Sequence, residues 1–167
     1  MPYDIIISNK WLRRQVNSMN IVSGYSVKIK HYNRIFTDTV KLYREAVDFF
    51  IGVCLAEWGM LSTISGNLAQ QRYIEIHTHS TRNNPSPKHS FDHHFYKFPS
   101  YLRRSAISAA IGKVSSYKSN LANYEAGTDK RKPSVPKAGY VFPAMYRDNC
   151  FIRTDTYTAR VKVFIRN

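Results

Sequence analysis

Five of the six histidines fall between His77 and His94, with Asp92 among them. Imidazole nitrogens and carboxylate oxygens are the donors that hold zinc and similar ions, so the cluster invites a metal reading. His77-Thr78-His79 would set two imidazoles on one face of a strand, where side chains repeat every second residue, and His93-His94 would follow in a loop. Yet the spacing matches no common zinc pattern, and the companion ligands are missing. Solvated loop histidines, with no metal site, are the expectation.

Other chemistries find even less support. Only 11 Asp and Glu are present, and most sit on helix faces (Glu45, Asp48, Glu57) or in loops (Asp129, Asp148), whereas two-metal nucleases gather several carboxylates around their ions. There is no GxSxG elbow and no P-loop. Cys54 and Cys150 lie far apart, with no CxxC, so a thiolate zinc site is not expected, and two free thiols suit a reducing compartment better than one disulfide does. Single-strand transposases of the HUH type offer an alternative. They hold a divalent ion with two histidines flanking one bulky apolar residue, and a helix tyrosine attacks the phosphodiester. His77 and His79 resemble that pair, but Thr78 stands at the bulky position, and 12 tyrosines make a nucleophile too easy to nominate. Catalysis is not expected of this chain on its own.

The stronger signal is cationic and aromatic. The 167 residues carry 25 Lys and Arg against 11 Asp and Glu, a net charge of +14. Solubility alone asks for no more than about 8, so a polyanion is the expected partner. Residues 95–167 hold 14 of the basic and 4 of the acidic side chains, which places the binding face in the second half. There Phe95-Tyr-Lys-Phe-Pro-Ser-Tyr-Leu-Arg-Arg104 mixes flat rings with cations. Rings stack on bases and arginine forks onto guanine or phosphate; at least half of these aromatics are nevertheless expected in the core.

The elements that must position these residues can be read from periodicity. Residues 24–31 alternate as a strand with Lys28 and Lys30 outward. Phe36, Val40, Tyr43, Val47, Phe50, Cys54 and Trp58 recur at three and four, predicting a helix over about 33–58, with Thr37 or Asp38 as cap if it starts late. Tyr73-Ile74-Glu75-Ile76 is a short strand or a helix end, and residues 83–87 are a proline-containing loop. A second long helix runs from Pro99 to about Glu125 and stops at Gly127. Its apolar sector is Leu102, Ile107, Ala110, Ile111, Val114, Tyr117 and Leu121, opposite a small-residue sector of Ser105, Ser108, Gly112, Ser115 and Ser116. Small side chains admit a close backbone, either a neighbouring helix or, with Arg104 and Lys118 alongside, a phosphate chain. Residues 127–137 form a basic linker containing Lys130, Arg131, Lys132 and Lys137. Short strands are predicted at Tyr140-Val-Phe142, at Asn149–Arg153 and over residues 158–166, where Arg160 and Lys162 alternate with Val161 and Val163. The fold class is α+β, with the two chain ends forming one small sheet around an inserted helical part. Neither a signal peptide nor an 18-residue apolar run is found, so a cytoplasmic protein without membrane or small-molecule partners is expected.

Several of these words resemble the TnpB/OrfB family of transposon-encoded proteins. They are Phe98-Pro-Ser-Tyr-Leu-Arg-Arg-Ser-Ala-Ile107, the stretch Gly112-Lys-Val-Ser-Ser-Tyr-Lys-Ser-Asn-Leu-Ala-Asn-Tyr-Glu125, Lys132-Pro-Ser-Val-Pro-Lys137 and Phe142-Pro-Ala-Met-Tyr-Arg147. Val40-Lys-Leu-Tyr-Arg-Glu-Ala-Val-Asp-Phe-Phe50 is similar to that family's first long helix, and the likeness covers about residues 24 to 167. The resemblance implies the front end of an RNA-guided DNA endonuclease similar to type V CRISPR effectors. Residues 1–32 would hold the first strand or strands of a β-barrel-like wedge domain. Residues 33–126 would be a helical recognition insertion, 127–137 the basic linker, and 138–167 the returning wedge strands. The family's RuvC-like nuclease, its divalent metal such as magnesium and its structural zinc would lie beyond Asn167, where the chain stops in mid-strand as a truncated product would. The implied partners are a guide RNA from the transposon end and target double-stranded DNA. Ser100, Tyr101 and Arg104 would approach the target-adjacent motif, with Lys113, Tyr117 and Lys118 further along, and Arg103 would also bind nucleic acid. Lys28, Lys30, Lys130, Arg131, Lys132, Lys137, Arg147, Arg160 and Lys162 would hold backbone phosphates. A DNA-binding regulator of helix-turn-helix type, working without RNA, is the alternative.

Overall fold

The computed structural model describes residues 4–6, 33–145, 150–155 and 158–163. The predicted strand at 24–31, with Lys28 and Lys30, lies outside them, as does Arg147.

Helix α1 spans Arg34–Ala56 and buries the expected stripe, including Tyr43, Val47, Phe50 and Cys54. It begins where the sequence allowed its earliest start. The Asn33 side chain accepts from the Ile35 N–H at 3.0 Å, so Asn33 is the cap and Thr37 and Asp38 sit inside the helix. After a break at Glu57 comes the single turn α2, Trp58–Leu61. Helix α3 spans Asn67–Thr78, which removes the strand alternative for residues 73–76. Only Ile74 and Thr78 of α3 are buried, a stripe too thin for its period to show in the sequence. A one-turn helix α4, Phe91–His94, precedes α5, Ser100–Glu125. Pro99 is the cap of α5 rather than its first helical residue, one position from the prediction.

The C-terminus of α5 closes as read. Gly127 has φ +75°, its N–H reaches the Tyr124 carbonyl at 3.0 Å, and the Thr128 N–H reaches that of Asn123 at 2.9 Å. This is the Schellman pair of bonds, which needs a left-handed residue that glycine adopts without a Cβ clash.

α1 packs along α5, and α3 covers another side of α5. At one end of this core stands a ring cluster. Phe91 stacks on Phe50 at 4.7 Å and on Phe95 at 4.6 Å, with Phe98 edge-on at 5.5 Å. Phe95 and Phe98 are thus core, while Tyr96 is exposed and Tyr101 half-buried.

From residue 128 to 145 the chain runs as an irregular strap across α1 and α5. Ala138 is buried and its N–H is held by Asp48 Oδ1 at 2.6 Å; Arg44 Nε donates to the Val141 carbonyl at 3.1 Å; the Ala144 N–H donates to Ser105 Oγ at 3.0 Å. The strand expected at 140–142 is absent for that reason. The Val141 carbonyl, which a sheet ladder would have used, is satisfied by the Arg44 side chain of α1 instead.

Three short strands complete the fold: β1, Asp4–Ile6; β2, Phe151–Arg153; and β3, Thr158–Val161. They form one antiparallel sheet in the order β1-β3-β2, with Ile5 opposite Ala159 and Ile152 opposite Arg160. The class is α+β, and both ends of the chain meet in one sheet around the helical part. The N-terminal strand of that sheet is Asp4–Ile6, part of a stretch the sequence left unassigned. Among the described residues no helix is long and apolar enough to cross a membrane.

Candidate nucleic-acid interface

The small-residue sector of α5 has two fates. At its start Ser105 is buried and bonded to the Tyr43 hydroxyl at 3.0 Å as well as to the strap. There the close backbone is the protein's own. Further along, Gly112 and Ser116 are exposed and Ser108 is half-buried. A Cβ built on Gly112 would meet nothing within 4 Å, so no helix packs there.

This open face is the floor of a groove of about 860 Å³ between α5 and the basic segment. Four cations line it: Lys113 from the helix, and Arg131, Lys132 and Lys137 from the facing wall, against one acid, Asp129. Ser116, Asn120 and Ser134 add neutral hydrogen-bonding groups, and Tyr117 adds a ring. Pro133 and Pro136 also line that wall; each lacks a backbone donor and so cannot continue a helix or a sheet ladder. A second hollow of about 460 Å³ adjoins the same Gly112 face and is walled by Trp58, Asn67, Gln70 and Gln71. A channel with several cations, one acid and a floor of small side chains presents positive potential to a chain of phosphates.

The other anticipated residues among those described, Lys118 and Lys130 included, do not line this groove. Ser100 is exposed at the first turn of α5. The Tyr101 ring lies 5.6 Å from Lys162 Nζ, and its hydroxyl is held above its ordinary pKa, first by burial and then by Cys150. Arg160 is exposed on β3. Arg103 is 6% exposed, donates from Nη2 to Glu75 Oε1 at 2.9 Å, and is therefore committed to the interior. Arg104 Nε stands 3.7 Å from the other oxygen of Glu75 but remains open to solvent.

The histidines are not on a strand. His77 lies in the last turn of α3 with Nδ1 2.8 Å from the Tyr73 carbonyl, and His79 is the helix C-cap. The helix bends the chain so that the two rings take different partners. His79 Nδ1 meets Asp92 at 2.7 Å. His89 Nε2 meets Glu57 Oε1 at 2.8 Å, and Lys88 Nζ reaches the same oxygen at 2.7 Å. Glu57 is buried, and bonds from His89, Lys88 and Tyr73 hold its carboxyl down to about 2. These contacts tie the segment between α3 and α4 to α1. Among the described residues no three His, Cys, Asp or Glu side chains form a group able to hold a metal ion. Both cysteines are free and buried, and desolvation pushes Cys54 up to about 12.

One aromatic group escaped the sequence reading. Arg44 Cζ lies 5.4 Å from the ring centre of Tyr140 and 5.1 Å from that of Phe142. Their alternate spacing was visible, but it pointed to a strand rather than to a shared cation.

Fold and groove together define an α+β protein whose helical insertion carries a cationic channel. The chain belongs to the Aq_aa04 family, whose model matches residues 23–165. It is similar to uncharacterized protein aq_aa04 of Aquifex aeolicus (strain VF5), 52% identical over 48 residues, a stretch that is 27% of this chain and 28% of that protein. No solved structure matches.

Proposed function

We propose that the chain binds nucleic acid through the groove between α5 and residues 129–137. The observation that carries this reading is the convergence of Lys113, Arg131, Lys132 and Lys137 on one open channel floored by Ser108, Gly112 and Ser116. Cations placed this way neutralise successive phosphates, and small floor residues let the sugar-phosphate chain come close. In its finer form, the chain is the wedge-and-recognition region of a TnpB-type RNA-guided DNA endonuclease. The sheet would belong to a barrel-like wedge, and the groove would hold guide RNA or the guide–target duplex. The motifs around α5 and the meeting of both chain ends in one sheet support that form. Arg103 takes no part in contact, since Glu75 occupies it.

Fluorescence anisotropy with RNA, duplex DNA and an RNA–DNA heteroduplex at several salt concentrations tests both levels. Affinity should fall steeply with salt, by about 0.9 in log K per log salt for each duplex phosphate neutralised. A flat salt response rejects the nucleic-acid reading. Preference for RNA-containing ligands supports the finer form, whereas equal affinity for bare duplex DNA favours a DNA-binding regulator.

A further inference from the structure

The strap beside the groove exposes two rings that the core does not use. Tyr140 is 91% exposed and Phe142 65%. Val141 between them packs against the core and also lines the groove, so the rings stand at its edge. They lie two residues apart, and one guanidinium lies over both, which places the two rings on a common side of the strap. Arg44 completes the group. Its Nε is pinned to the Val141 carbonyl at 3.1 Å, and its guanidinium serves both ring faces.

Apolar side chains exposed singly need no partner, but two adjacent rings sharing one cation at the edge of a cationic channel form a patch, and patches mark interaction sites. A hydrophobic protein partner would be expected to meet an apolar surround, but here the continuous neighbour is the Lys113–Lys132–Lys137 groove. A nucleobase satisfies both parts, since its flat face stacks on a ring or a guanidinium while its phosphate lies among cations. We infer that Tyr140, Phe142 and Arg44 form a stacking platform for unpaired bases, so that the groove accepts a strand with at least one or two bases out of a duplex. This rests on the nucleic-acid reading above and narrows it to ligands with single-stranded character. Pinning of Arg44 to the backbone and of Val141 to the core confines the ordering on binding to the two ring side chains.

The test uses the full chain, a single-stranded oligonucleotide, the same strand carrying abasic sites, and a blunt hairpin duplex closed by a non-nucleotide linker so that every base is paired. Tyr140→Ala with Phe142→Ala should weaken binding to the intact single strand roughly ten- to a hundredfold, given the usual strength of base–ring stacking. Affinity for the abasic strand and the blunt hairpin should stay within about threefold, because phosphate contacts persist. Tyr140→Leu with Phe142→Leu, which keeps apolar bulk without a flat face, should behave like the alanine pair. Tyr140→Phe with Phe142→Tyr should restore wild-type affinity. Unchanged single-strand binding by the leucine or alanine pair, or an equal loss on the blunt hairpin, overturns the platform while leaving the groove standing. If the wild-type chain binds none of the three ligands, the nucleic-acid reading itself falls.

Discussion

Glu57 gathers three polar side chains around one buried carboxylate. It is 7% exposed and receives bonds from Lys88, His89 and Tyr73. A buried carboxylate that keeps its charge does so because those bonds exceed its desolvation cost. Its ordinary value of 4.5 falls to about 2 in the fold. A depressed folded value means that the ionised form stabilises the protein fully above the unfolded value, and that this contribution fades as pH falls toward 2. Glu57→Gln should therefore lower the melting temperature most at about pH 6, with the gap to wild type closing on acidification. A gap that is constant with pH would show that the carboxylate's charge is not what matters. The sequence exposed the histidines but not their acceptors. His89 finds Glu57 at a separation of 32 residues, and no local spacing encodes a pairing made by tertiary packing.

Among the helices, α1 and α5 were legible because each buries a stripe repeated over many turns. α3 was not, because it buries two residues. Residues 140–142 of the strap were misread as a strand since Tyr140 and Phe142 alternate, whereas the strap's hydrogen bonds run to Asp48, Arg44 and Ser105 on helices distant in sequence. The end of α5 was read correctly because glycine at a left-handed position leaves a local mark. Gly127 sits at φ +75° and passes the chain into the basic wall of the groove. Gly127→Ala meets no neighbour within 4 Å, so its cost is conformational alone. It should destabilise the fold by about 1–2 kcal/mol, the usual penalty for a Cβ in that region, read as a shifted urea midpoint at unchanged slope. A midpoint equal to wild type would mean that the Schellman turn is not needed to stop the helix.

At the scale of the whole molecule, charge is the property the sequence disclosed most fully, and its placement the least. The excess of cations in the second half was countable, but which of them share a surface depended on how residues 128–145 fold back over α5. That return brings Lys132 and Lys137 opposite Lys113 and leaves Lys118 and Lys130 outside. Lys113→Ala, Lys132→Ala and Lys137→Ala together should lower the slope of log affinity against log salt by roughly 2 to 3, three phosphate contacts fewer, without altering the circular dichroism spectrum. Removing Lys118 and Lys130 instead should change it by less than about 1. Equal effects from the two sets would mean that the charge acts diffusely rather than through the groove.

The position of β3 in the middle of the sheet also governs the order of assembly. Asp4–Ile6 and Phe151–Arg153 both pair with Thr158–Val161, and among the described strands they do not pair with each other. On a ribosome, the first strand therefore waits through the synthesis of some 150 residues before its partner is made, while α1 and α5 can dock long before. A released chain ending just short of Thr158 would contain every residue that lines the groove and no sheet, so the groove does not need the strand that joins Asp4–Ile6 to Phe151–Arg153.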